Sequence, residues 1–184
     1  MQPNQLKVPD IILVEDHLIF RRCIKSIINF ENIGTIIGEA SDGEEFMQLI
    51  STSKPDLVLM DIDMPGMNGF EATKNALELN PELKIIAFTA FANADYCKKM
   101  IELGARGYIL KSTDLNELEA AILKVVKGGY YFFNNFPEIS DDDVDYSKPL
   151  PDSGDEHDQQ KKNAKIKFFC WNRPDSTSVF AACK

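Results

Sequence analysis

The chain has 184 residues, enough for one domain with a sizeable core and an appendage. Its 29 acidic and 20 basic residues leave a net charge of −9, which argues against a protein that coats nucleic acid through a basic surface. The opening residues hold no apolar signal-peptide core, no apolar run approaches the ~20 residues of a membrane span, and Cys23, Cys97, Cys170 and Cys183 show no CxxC spacing, so a cytoplasmic protein with reduced thiols is expected.

Ile11-Ile12-Leu13-Val14 reads as a strand buried on both faces, and it ends in two acids, Glu15 and Asp16. His17 to Phe30 follows as a helix with Phe20, Ile24, Ile27 and Ile28 on one face and His17 exposed in its first turn. Ile33 to Ala40 is β-branched and glycine-punctuated, a second strand. Ser41-Asp42-Gly43 is a turn and cap, and Phe46, Leu49 and Ile50 mark a short amphipathic helix. After Pro55, Leu57 to Met60 is again wholly apolar and stops at Asp61. Pro65, Gly66, Asn68 and Gly69 make the following loop. Phe70, Thr73 and Leu77 share the face of a third helix, which Asn80-Pro81 ends.

Lys84 to Phe88 is a fourth strand, ending at Thr89. Asn93 to Leu103 is a helix with Cys97, Met100 and Ile101 inward, closed by Gly104. Gly107-Tyr108-Ile109-Leu110 is a fifth strand, ending at Lys111. Leu115, Leu118, Ile122 and Val125 mark a last helix, which Gly128-Gly129 stops. Strands alternating with helices predict an α/β fold: a doubly wound, five-stranded parallel sheet covered on both faces, most simply in the order 2-1-3-4-5.

That order makes the carboxyl ends of the first and third strands neighbours, so Glu15, Asp16 and Asp61 converge where open α/β sheets bind ligands. Like charges so close disfavour one another, and the single ammonium of Lys111 does not balance them. A hard divalent ion with oxygen ligands, Mg²⁺ above all, suits the deficit. A carboxylate beside such an ion can act as a nucleophile toward a phosphoryl group, with Thr89 and Lys111 placed to contact its oxygens.

The acid pair after Ile12-Leu13-Val14, the loop from Asp61 to Gly69, Phe88-Thr89-Ala90 and Gly107 to Ser112 together resemble the receiver domain of two-component response regulators, over roughly residues 7 to 135. The resemblance implies that Asp61 accepts a phosphoryl group from a histidine kinase or phosphotransfer protein. It implies that Glu15, Asp16, Asp61 and the backbone carbonyl of Asp63 hold Mg²⁺. Lys111 would pair with Asp61 and then with the phosphoryl group, Thr89 would bind the phosphoryl oxygens, and Tyr108 would swing inward behind it. Asp63 and Phe91 stand where the family tunes phosphoryl lifetime. Signalling would run through the face of the fourth helix, fifth strand and fifth helix, with homodimerisation on phosphorylation as a family expectation. Such a domain is not an enzyme in the turnover sense, although it can phosphorylate and dephosphorylate itself.

Ser112 stands where many receivers have proline, yet Gly107 to Ser112 and Gly128 to Phe132 are similar to receivers of LuxR/NarL-type transcription regulators. Those carry a helix-turn-helix domain next. Residues 136–184 show an Asp141-Asp142-Asp143 run, scattered prolines and a short Phe168-Phe169-Cys170-Trp171 patch, but no recognition helix. The expected organisation is therefore a receiver over 1–135 and an acidic, disordered tail over 136–184, with neither direct nucleic-acid binding nor membrane contact. The alternatives are a LuxR/NarL-type regulator whose DNA-binding half is missing or altered and, more remotely, a haloacid-dehalogenase-like phosphatase, suggested by Asp61-Ile62-Asp63.

Overall fold

The computed structural model describes residues 8–132; the expected tail, and with it the domain boundary at 135, lies outside them. The strands are β1 (Asp10–Val14), β2 (Thr35–Ala40), β3 (Leu57–Met60), β4 (Ile85–Thr89), β5 (Gly107–Leu110) and β6 (Tyr131–Phe132). The helices are α1 (Leu18–Phe30), α2 (Gly43–Ile50), α3 (Gly69–Leu79), α4 (Ala94–Glu102) and α5 (Leu115–Val126). All strand pairs are parallel, in the order β2-β1-β3-β4-β5-β6.

The unbroken apolar runs follow from a sheet covered on both faces. Ile11 and Leu13 of β1, with Leu57 and Leu59 of β3, pack against Ile24 and Ile28 of α1 and Leu118, Ile122 and Val125 of α5. Ile12 and Val14, with Val58 and Met60, turn to the other face and meet Phe46 of α2 and Ala72 and Ala76 of α3. Alternation along each strand sends successive side chains to opposite faces, so a strand with a core on both sides has no polar position to spare.

Each helix starts at a polar cap that turns the chain away from the rim. The side chains of His17, Asp42, Asn68, Asn93 and Asp114 accept hydrogen bonds from backbone N–H groups in the following turns. His17 therefore precedes α1 as its cap rather than lying in its first turn; Nδ1 accepts from the Phe20 N–H at 3.4 Å. The second strand also begins later than the β-branched run suggested. Asn32, at φ 54°, closes α1 in the left-handed region, and the Ile33 N–H donates back to the Ile28 carbonyl at 3.1 Å. Ile33 is buried as the hydrophobic partner of that helix end, and the strand starts only at Thr35.

The five-stranded expectation falls one strand short. Past Gly128, which has φ 92°, the chain returns along β5 and pairs with it in the register Gly107↔Tyr131 and Tyr108↔Phe132. Two residues give no readable alternation, so the strand had no signal of its own. Its consequence is positional: the outer edge of β5, open in a five-stranded sheet, is taken by the chain itself.

Candidate functional site

The register of the strands assembles the site. The Asp61 N–H donates to the Val14 carbonyl at 2.9 Å, so β1 and β3 end side by side with their acids at the rim, and the Glu15 N–H donates to the carbonyl of Ala40, the last residue of β2, at 3.0 Å. The Lys111 N–H donates to the Thr89 carbonyl at 2.8 Å, which brings β5's terminal lysine level with β4's terminal threonine.

Glu15, Asp16 and Asp61 each present a carboxylate oxygen, all within 4.8 Å of one another. Glu15 and Asp61 are buried, whereas Asp16 is exposed. Lys111 Nζ lies 2.6 Å from Glu15 Oε2 and 2.8 Å from Asp61 Oδ2, and 5.1 Å from the centre of the Phe20 ring. The other Asp61 oxygen, Oδ1, accepts from the Ile62 N–H at 2.8 Å, so the carboxylate is held at both oxygens.

Burial raises the Glu15 and Asp61 carboxyls above the ordinary carboxylate range, against the pull of Lys111, and each acid's neighbouring acid adds to the rise. Burial pulls Lys111 down, but Asp61 and Glu15 outweigh it and hold the ammonium above the usual lysine value. The cluster thus carries more negative charge than its lysine offsets, in a set of oxygen donors suited to a hard cation. Its residues fit a divalent ion of that kind.

The loop after Asp61 is braced from two sides. The Gly69 N–H donates to the Ile62 carbonyl at 2.9 Å, and a Cβ on Gly69 would lie 2.0 Å from the Asp61 carbonyl oxygen, so glycine is required for this approach. From α2, the Glu44 carboxylate accepts from the Met67 N–H at 3.0 Å, and the Gly43 N–H donates to the Met67 carbonyl at 3.0 Å. Asp63 is exposed within this loop, and its side chain is not one of the three converging acids.

The other flank is uncharged. Thr89 is fully buried and its Oγ1 accepts from the Phe91 N–H at 3.3 Å; accepting that bond does not consume the hydroxyl proton. Tyr108, expected to swing inward, is already fully buried, and its hydroxyl donates to the Phe91 carbonyl at 2.6 Å. Burial pushes the Tyr108 phenol up, so it stays protonated and able to donate. Half-buried Phe91 packs its ring on Tyr96 at 5.8 Å, and Tyr96 meets Phe70 edge-on at 5.3 Å.

Of the residues singled out from the sequence, the structure brings Glu15, Asp16, Asp61 and Lys111 together, sets Thr89 at the end of β4, and holds Tyr108 inside β5 with its hydroxyl on the Phe91 carbonyl. Sequence reasoning missed Arg21, whose guanidinium donates to the Glu15 carbonyl and lies 3.7 Å from Glu39, and it missed Phe20 as the ring beside Lys111. One signal was available: the α1 turn after an acid pair faces that pair again, so residues 20 and 21 were candidates by helical spacing.

The response regulator receiver domain family matches residues 11–123. The chain is 34% identical over 130 residues to the transcriptional regulatory protein DegU of Brevibacillus brevis, covering 71% of this chain and 55% of that one. It spans about half the length of the curated relatives it matches. Among solved structures, a LuxR-family two-component response regulator from Aurantimonas sp. is similar at a TM-score of 0.65 and 33% identity, covering 67% of this chain and 89% of that one. The CheX-CheY-BeF3-Mg²⁺ complex from Borrelia burgdorferi is similar at a TM-score of 0.57 and 26% identity, covering 65% of this chain and 87% of the matched chain. With this match over the very strands that carry the acids and the lysine, the chain belongs to the response regulator receiver domain family.

Proposed function

We propose that Asp61 is the phosphoacceptor of a two-component phosphorelay, charged by a histidine kinase or a phosphotransfer protein. The observation that carries this reading is the pairing of a buried carboxylate, held at both oxygens, with two further acids and a lysine. An Asp61 oxygen attacks the phosphorus of a phosphohistidine; the P–O bond forms as the P–N bond breaks, and the nitrogen leaves with the electron pair. Lys111 transfers its contact from the carboxylate to the phosphoryl oxygens, and the Thr89 hydroxyl donates to another. Glu15, Asp16 and Asp61, with the Asp63 carbonyl, would hold Mg²⁺, the ion named for the Borrelia structural neighbour. Bound there, Mg²⁺ would supply the positive charge that the lysine alone does not provide.

Attack of water on the acyl phosphate returns Asp61, so the domain is a timed switch rather than a turnover catalyst. Asp63 and Phe91 flank the mouth and set water access. The receiver acts through the α4–β5–α5 face, with homodimerisation on phosphorylation, in the cytoplasm. The domain covers 1–135, and 136–184 is a tail without direct nucleic-acid binding. A second reading, the receiver half of a LuxR/NarL-type transcription regulator, is favoured by the name and greater length of the DegU relative.

Intact mass after incubation with acetyl phosphate tests the first reading. One phosphoryl group is expected that requires Mg²⁺, disappears with EDTA and is absent from Asp61→Asn. Labelling that persists in Asp61→Asn, or that is indifferent to Mg²⁺, overturns it.

A further inference from the structure

Three arrangements outside the acid cluster stand out. Leu18 and Ile19, at the start of α1, are exposed apolar side chains. Arg21 sits against the acid-pair loop, but its charge and its hydrogen bond act in opposite directions on cation binding, so it fixes no direction. The third, β6 and the groups that hold it, carries an inference. We propose that β6 is a readout strand, docked on β5 in step with the state of the phosphoryl site; this rests on the reading of Asp61 given above.

The chain of contacts is continuous. Thr89 Oγ1 accepts from the Phe91 N–H, the Phe91 carbonyl accepts from the Tyr108 hydroxyl, and Tyr108 is aligned in the sheet with Phe132. Phe132 packs on the same apolar cluster that contains Tyr108, Cys97 and Met100. Tyr131 faces the opposite side of the sheet, against the α5 cluster, with its hydroxyl donating to Glu117 at 3.3 Å. The two side chains of β6 therefore straddle β5, one on each core.

Docking is close and specific. The Tyr131 N–H donates to the Arg106 carbonyl at 2.9 Å, and a Cβ on Gly107 would come within 2.9 Å of the Tyr131 carbonyl oxygen. Arg106 and Lys124 sit over the Tyr130 and Tyr131 rings at 5.5 and 5.9 Å. Residues 133–184 continue directly from this strand.

The direction follows from the geometry. A phosphoryl group draws on the Thr89 hydroxyl proton while Oγ1 keeps the Phe91 N–H, which fixes the loop whose carbonyl Tyr108 holds. Phosphorylation favours the inward Tyr108 and with it the packed Phe132 and the paired β6. Were Tyr108 to leave the cluster, Phe132 would lose part of its seat.

Amide exchange at Tyr131, measured on the full chain with Mg²⁺ and with or without beryllofluoride, tests this; fluorine NMR reports whether beryllofluoride is bound. In the wild type, bound beryllofluoride is expected to slow Tyr131 exchange at least threefold. In Tyr108→Phe, beryllofluoride should still bind but leave Tyr131 exchange unchanged. Bound beryllofluoride with unaltered wild-type exchange, or equal slowing in Tyr108→Phe, overturns the readout strand and leaves the phosphoacceptor reading intact. No bound fluoride in the wild type overturns the phosphoacceptor reading and the proposal resting on it.

Discussion

The two flanks of the rim are built on opposite physics. At the ends of β1 and β3 the side chains are charged, and like charges are held together against their repulsion. From the end of β4 into β5, Thr89, Phe91 and Tyr108 are neutral, and every link among them is a hydrogen bond. Lys111 belongs to the β5 strand by sequence and to the acids by contact. The difference separates two tasks. A charged flank responds strongly to one added phosphoryl group or cation, because its energies change with charge. A neutral flank passes on geometry without adding a second charge response.

The largest test removes the residue shared by both flanks. Lys111→Met should cut the rate of phosphorylation from acetyl phosphate by about 100-fold while binding of Mn²⁺, read by calorimetry, is retained or strengthened, since a competing cation is gone. A normal rate would place the phosphoryl group elsewhere.

Gly69→Ala comes next. A methyl group driven against the Asp61 carbonyl should destabilise the domain by about 3 kcal/mol, seen as a lowered urea midpoint. It should also weaken cation binding, because the loop carrying the Asp63 carbonyl is displaced.

Asp61→Asn should do the reverse to stability. Removing one acid from the repulsive flank should raise the metal-free melting temperature at neutral pH by several degrees, or about 1–2 kcal/mol. The pH dependence has a definite sign. Glu15 and Asp61 have raised carboxyls, so at these two sites the folded chain binds protons more tightly than the unfolded one, and their contribution to metal-free stability is greatest in acid and falls as pH rises through and above the ordinary carboxylate range. Saturating Mg²⁺ should flatten that fall. A wild type that gains stability relative to Asp61→Asn over the same rise in pH would show that the acids do not repel as described.

The smallest effect belongs to the neutral flank. Tyr108→Phe leaves the Phe91 carbonyl without its hydroxyl donor and should cost about 1 kcal/mol, with no change in the metal-free pH profile. An altered profile would mean that the flanks are not separate.

Much of this was legible from strand ends. Apolar runs that stop at Glu15, Asp61, Thr89 and Lys111 mark positions where buried strands reach a rim, and parallel order brings those rims together. What was not legible had no period to read. Strand β6 is two residues long, and its place depends on a glycine turn and on ring contacts with α5. The role of His17 as a cap was hidden because histidine is an uncommon choice for that position. Ile33 misled because burial at a helix end and burial in a strand give the same apolar letter. The inward seat of Tyr108 was read as a destination, and the carbonyl of Phe91 that already holds it is a backbone group, which carries no residue-type signature.

The brace between Glu44 and the loop ahead of α3 has an evolutionary corollary. Glu44 grips a backbone N–H, and Gly66 offers it room, with an ideal Cβ at residue 66 falling 3.1 Å from Glu44 Oε2. The glycine is nevertheless kept by its own backbone, at φ 69°, whatever stands at 44, because the flexible carboxylate can give by the few tenths of an ångström a methyl group asks for. In descendants of this gene the two positions are therefore expected to vary independently: 66 stays glycine while the loop keeps its turn, and 44 can change at the cost of the bond to the Met67 N–H.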